Sequence, residues 1–241
     1  ERRSCSVTVH EPAVAKRSGV RAIAIDVRWR SLDDLCCAYW RDTDGAEGSI
    51  DLDPLVSARM AHADDLESIR DLHRNQHRDE LADWLGGTTL PAWLADWTRG
   101  IRQWEKQDRL RRLYFVWRRQ RFDGDEAGFA ILGRWWRGRD WTPETRRQGG
   151  EYHLADWAAA ERRKAIGRRN AAYADFAARI CREYDHVIIE DFDLRTFATE
   201  RPDEDAAAHP KRKNQRLSAP SHLLAAIRRA VETHGATLHK V

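Results

Sequence analysis

Two acidic residues, Asp26 and Glu190, each close an apolar run. Val20, Ala22, Ile23, Ala24 and Ile25 lead into Asp26, and Val187, Ile188 and Ile189 lead into Glu190. Runs of this kind are the pattern of strands buried on both faces, and a carboxylate just past such a strand sits where open α/β sheets hold ligands. Two carboxylates delivered by different strands are hard oxygen donors suited to Mg²⁺ or Mn²⁺. Such ions activate water and stabilise a leaving oxygen in phosphodiester hydrolysis. The acids would act there as metal ligands and fixed charges rather than as proton carriers.

Other candidates carry less. His73 and His77 are one helical turn apart and His62 precedes them, but no acid pattern accompanies them, so they read as helix-surface histidines. The four cysteines, Cys5, Cys36, Cys37 and Cys181, include no Cys-x-x-Cys pair, which excludes a zinc ribbon within this stretch. No phosphate-binding loop, dinucleotide fingerprint or nucleophile elbow is present.

Composition narrows the partners. The 241 residues are 34% charged and 41% hydrophobic, with net charge +3, so the chain can bury a core and is not compositionally disordered. The charge is unevenly spread. Acids outnumber bases between Arg41 and Asp83, and arginines dominate between Arg99 and Arg147. The 11 tryptophans often adjoin arginines, as in Trp117-Arg118-Arg119 and Arg134-Trp135-Trp136-Arg137. That pairing fits base stacking with phosphate contact, and fits equally a tryptophan core beneath a solvated arginine face. No apolar run is long enough to span a bilayer, so no membrane partner and a cytoplasmic location are expected.

The elements that must position the acids follow from patterning. Residues 1–19 read as the tail of an upstream domain and a linker. Val20–Trp29, Leu35–Trp40 and Gly48–Leu52 read as three strands of an antiparallel meander, with Asp44-Gly45 as a hairpin signal. Asp53-Pro54 caps a helix that Gly86-Gly87 ends. Pro91 opens a second helical stripe through Leu94, Trp97, Ile101 and Trp104, continued by Leu110, Leu113, Tyr114 and Trp117, which suggests an αα-hairpin. Phe122–Gly150 reads as irregular, and Glu151–Asp185 as one long helix with a basic first half. After the Glu190 strand, Thr199–Ala219 reads as a polar loop, Pro220–His234 as a helix, and Ala236–Val241 as a last strand. Strand, strand, strand, helices, strand, helix, strand is the order of a ribonuclease H-like α/β fold with a helical insertion at 54–150 inside a domain at 20–241. In that fold the first and fourth strands lie side by side and parallel, which brings Asp26 and Glu190 to one sheet edge.

Four stretches also resemble a known family. Ala22-Ile23-Ala24-Ile25-Asp26 is similar to the first RuvC motif, and Val187-Ile188-Ile189-Glu190-Asp191-Phe192-Asp193-Leu194 to the second. The basic helix ending Ile180–Asp185 resembles the helix that leads into that motif, and Leu217–Val241 the segment that leads towards the third. The chain thus resembles the RuvC-like nuclease region of the transposon-encoded RNA-guided nucleases (TnpB) and of the type V CRISPR effectors. The resemblance implies a metal-dependent DNA endonuclease directed by a guide RNA to a target DNA, with Asp26 and Glu190 catalytic and metal-binding. It further implies backbone contacts from Arg28, Arg162, Arg163, Arg168, Arg169, Lys211, Arg212, Lys213 and Arg216. Two departures matter. Arg28 stands where the family commonly has glycine, and the family's third acid, after a zinc ribbon, is expected beyond this stretch. With that acid missing from this stretch, the fragment alone is expected to be inactive and the full-length parent a Mg²⁺-dependent endonuclease. The alternative expectation is a cleavage-deficient, RNA-guided DNA-binding module with a decayed RuvC site.

Overall fold

A computed structural model describes residues 14–31, 35–138, 149–191 and 208–241. The expected strand at Ser4–His10 and the segment Phe192–Ala207, including Asp193, lie outside the described residues. The described chain forms two compact units, one of residues 1–57 with 165–241 and one of residues 58–164.

The first unit is built on a five-stranded sheet. Its strands are β1 (Ala22–Ser31), β2 (Leu35–Asp42), β3 (Glu47–Asp51), β4 (His186–Ile189) and β5 (Thr237–Lys240). Their spatial order is β3-β2-β1-β4-β5. The first three pair antiparallel, whereas β4 runs parallel to β1 and β5 parallel to β4. This is the ribonuclease H-like arrangement that the element order predicts. One face of the sheet is core. Ile23, Ile25 and Val27 of β1 alternate with exposed or half-exposed neighbours, and Val187 and Ile189 do the same on β4.

Two long helices bracket the helical unit: α1 (Pro54–Gly86) and α5 (Glu151–Glu183). The expected start of α1 is seen in detail, with the Leu55 amide donating to Asp53 Oδ1 at 2.8 Å. The sheet-side half of α5 buries Tyr173, Phe176, Ala177, Ile180 and Cys181. These positions recur at helical spacing, the stripe the sequence shows. Helix α6 (Ala208–Ser218) packs on β1 and β2, and α7 (Pro220–His234) on β1 and β5. Thus 208–218, expected as loop, is helical. Its own apolar pattern is slight, and the sheet supplies the partner that a lone amphipathic reading could not supply.

The helical unit differs from a simple αα-hairpin. The stripe from Pro91 breaks into α2 (Ala92–Trp97), a 3-10 turn (Ile101–Gln103) and α3 (Gln107–Arg119). Gly100 at φ 67 turns the chain between them, and Trp97 leaves the stripe for solvent. The stretch expected to be irregular contains α4 (Glu126–Arg137). Trp104, Trp117 and Trp135 are at most 3% exposed among Leu81, Leu94, Leu110, Leu113 and Leu132. For these tryptophans the core reading is the correct one.

Candidate active site

Register brings the two acids together. In the parallel β1–β4 ladder Ala24 faces Ile188 and Ile25 faces Ile189. Asp26 and Glu190 are the next residues along the two chains, just past the last paired positions. Because Asp26 shares its side of β1 with Ala24, and Glu190 follows Ile188 on β4, both carboxylates belong to the face opposite the core. That face is open among the described residues: Ala24 and Glu190 are exposed, and Asp26 and Ile188 are half-buried. The expected juxtaposition of strand ends is therefore present in the backbone.

A third side chain occupies the same spot. Arg28, two residues on and hence on the same face of β1, donates from Nε to Asp26 Oδ2 at 2.6 Å, and its Nη2 is 2.5 Å from the same oxygen. The hydrogen bond to Asp26 holds the guanidinium above its usual range, against a smaller opposing effect of desolvation. The ring of Tyr39, which faces Asp26 across the antiparallel ladder, lies 5.4 Å from the Arg28 guanidinium carbon. Tyr39 had no chemical signature of its own in the sequence. Only the β1–β2 register brings it here.

Glu190 is followed by a different pair. The Asp191 amide donates to the Val241 carbonyl at 2.8 Å, and Lys240 Nζ reaches Asp191 Oδ1 at 2.9 Å. This extends the β4–β5 pairing and gives Asp191 a structural partner. Among the described residues no three His, Cys, Asp or Glu side chains form a group that could hold a metal ion. The donor set that is present does not fit a two-metal centre as it stands. Mg²⁺ needs anionic oxygens, and one of the two carboxylates is already neutralised by a guanidinium. His73 and His77 belong to no such group among the described residues, and His77 Nδ1 lies 2.8 Å from the His73 carbonyl along the helix.

The expected phosphate contacts fall into three groups. Arg163 on α5 and Lys213 and Arg216 on α6 are exposed, and Lys211 and Arg212 also lie on α6. Arg162 and Arg168 are engaged by carboxylates, Arg162 by Asp64 at 3.0 Å and by Glu67, and Arg168 by Asp53. Arg169 is a correction. It is 4% exposed, and its Nη1 donates to the Leu217 carbonyl at 2.8 Å and to the Arg216 carbonyl at 3.4 Å. Tyr173, one turn along α5, donates its hydroxyl to the Ser218 carbonyl. Together the two side chains bind three successive carbonyls at the end of α6, groups that a helix terminus leaves without partners. Burial pushes the Arg169 guanidinium down. Arg169 therefore anchors a helix and is not available to nucleic acid.

A CRISPR-associated DNA-binding protein Cas12m of Allomeiothermus silvanus is 33% identical over 241 residues, covering 99% of this chain and 43% of that protein. The chain is a relative of the Cas12m proteins. The protein of the same description from Thermanaerosceptrum fracticalcis is 31% identical over 82% of the chain and 32% of its own length. That of Mycolicibacterium mucogenicum is 24% identical over 88% of the chain and 37% of its own length. No protein-family model matches the chain. The chain thus spans less than half the length of the curated relatives it matches. The relationship supports the type V CRISPR effector family read from the four sequence stretches. No helix among the described residues is long and apolar enough to cross a membrane.

Proposed function

We propose that the chain is the RuvC-like part of an RNA-guided effector that binds target DNA without cutting it. The observation that carries this reading is the Arg28–Asp26 pair, which places a fixed positive charge where a nuclease would need a divalent cation. A guanidinium neutralises the carboxylate but cannot activate a water, so binding can persist where hydrolysis does not. The relatives' description as CRISPR-associated DNA-binding proteins supports it. In this reading base pairing with a guide RNA selects the sequence, while the protein holds the nucleic-acid backbone. Arg163, Lys211, Arg212, Lys213 and Arg216 are the proposed phosphate contacts, with Arg168 as a further one that would exchange Asp53 for phosphate. The domain limits inferred from sequence, 20–241 with an insertion at 54–150, and a cytoplasmic location belong to the same proposal.

A second reading keeps the nuclease. It is favoured by one observation, the parallel register that runs to Ile25 and Ile189, the residues just before Asp26 and Glu190. For it, Arg28 must release Asp26 when Mg²⁺ or Mn²⁺ arrives and a third acid must come from elsewhere in the parent protein. The two readings share guided binding, which an electrophoretic mobility assay checks with the parent protein, its guide RNA and labelled duplex. We expect a shifted complex with matched duplex and none with a scrambled one. Equal binding to both duplexes removes guided recognition from either reading.

A further inference from the structure

The Arg28 side chain is long and 44% exposed, and it has more than one carboxylate to choose from. It stands on the sheet face opposite the core, where β3 presents two further acids, Glu47 and Asp51, both exposed. Arginine gives up much rotamer freedom when it is held in one geometry. Something must therefore select Asp26. The neighbours on this face follow from register. Asp26 faces Tyr39 on β2, and Tyr39 faces Ser49 on β3. Facing residues share a side of the sheet, as do residues two apart on one strand. Arg28, Tyr39, Glu47, Ser49 and Asp51 thus lie on one face with Asp26.

Tyr39 stands on the strand between Arg28 and the β3 acids. It is half-buried, and the Arg28 guanidinium carbon lies 5.4 Å from the centre of its ring, within cation–π range. Arg28 is diagonal to Tyr39 across the ladder, a separation that rings and long side chains bridge. The far end of the same ring is held too. The hydroxyl is hydrogen-bonded to Glu47, which pushes the phenol above its ordinary range. The other β3 acid, Asp51, accepts from Ser49 Oγ at 2.7 Å. Each β3 carboxylate therefore has a hydroxyl partner on its own face. Among the described residues, the ion pair that Arg28 makes is with Asp26.

We propose that Tyr39 is the positioning residue of this site: its ring, fixed at the hydroxyl end by Glu47, backs the Arg28 guanidinium and keeps it on Asp26. Through Arg28, Tyr39 sets how strongly the acid pair takes a divalent cation. The inference deepens the proposed function and rests on its premise that Arg28 fills the place of a metal ion. Without the ring, Arg28 keeps its attraction to Asp26 but loses its backing. The guanidinium then spends more of its time in solvent, and the carboxylate is freed in proportion.

The test is a Mn²⁺ titration of the parent protein, followed by electron paramagnetic resonance, beside Tyr39→Leu, Tyr39→Phe, Arg28→Gly and the double variant Tyr39→Leu/Arg28→Gly. An exposed cation–π contact corresponds to a factor of roughly 2–5, so Tyr39→Leu is expected to tighten Mn²⁺ binding by about that much. Tyr39→Phe keeps the ring and should stay within about twofold of the parent. In the Arg28→Gly background Tyr39→Leu should add nothing. A role in folding alone would lower the melting temperature and leave Mn²⁺ binding unchanged or weaker, so a gain in affinity marks positioning. Unchanged binding by Tyr39→Leu, while Arg28→Gly tightens it, overturns the inference and leaves the proposed function standing. A further gain from Tyr39→Leu once Arg28 is gone also overturns it, because Tyr39 then acts on the acids without the guanidinium. Unchanged binding by Arg28→Gly removes the premise, and the proposed function falls with the inference.

Discussion

At the scale of single residues, Arg28 decides what the Asp26/Glu190 edge can do. Both its contacts fall on Asp26 Oδ2, so one carboxylate oxygen is engaged by a guanidinium two residues away. Removing that neighbour should expose the cation site. Arg28→Gly is expected to bind Mn²⁺ at least tenfold more tightly than the parent, as followed by the quenching of the Mn²⁺ electron paramagnetic resonance signal. Equal binding by both proteins removes the guanidinium from the account. The cysteines give a second residue-scale prediction. Burial pushes the Cys37 and Cys181 thiols up to about 11. Both raised values mean that the folded state holds its protons longer than the unfolded chain. Their contribution to stability is complete below the unfolded value, near pH 9, and disappears as pH rises towards 11. Mass mapping after iodoacetamide treatment at pH 8 should find both unmodified in the native protein and modified in denaturant.

At the scale of elements, side chains on α5 hold the end of α6, and a glycine lets α4 close. Tyr173→Phe removes the hydroxyl that binds the buried Ser218 carbonyl. The expected cost is about 1 kcal/mol, seen as a melting temperature lower by roughly 2–4 °C. A melt unchanged within error would mean that the α6 terminus finds another partner. Gly128 tests the other element. A Cβ there would come within 2.5 Å of the Trp84 ring, so Gly128→Ala should destabilise the helical unit by about 1–3 kcal/mol despite the better helix propensity of alanine. A stabilised variant would show that Trp84 can move aside at little cost.

The same elements show what could be read from the sequence. The strands β1 and β4 were legible because β-branched and apolar runs ended at acids. The start of α1 was legible from Asp53-Pro54, and the end of α7 from Gly235, which caps it at φ 71. Helix α4 was not legible, since Gly128 and Gly133 read as breakers when one of them is a packing requirement. Helix α6 was hidden because its sequence is polar and carries Pro210, and its stability comes from the sheet beneath it. In the candidate site the adjacency of Asp26 and Glu190 followed from strand order alone. The burial of Arg169 did not, because nothing in a basic run marks which arginine will meet the carbonyls of a helix not yet placed.

At the scale of the whole molecule, a ribonuclease H-like sheet unit presents an acid with an arginine paired to it, and a helical unit carries exposed arginines over a tryptophan core. In the proposed function the Asp26/Glu190 edge takes part in holding nucleic acid without cutting it. Guided binding should therefore weaken steeply with salt, since backbone contacts release counterions. The most direct measurement is binding and cleavage followed side by side. The parent protein with its guide RNA would be incubated with matched, labelled DNA in Mg²⁺ and in Mn²⁺, beside Asp26→Ala and Glu190→Ala variants. The account predicts a stable complex with every strand intact, for the parent and for both variants. Metal-dependent cleavage by the parent that both variants lose while still binding the guide would contradict it and establish the acid pair as a nuclease centre.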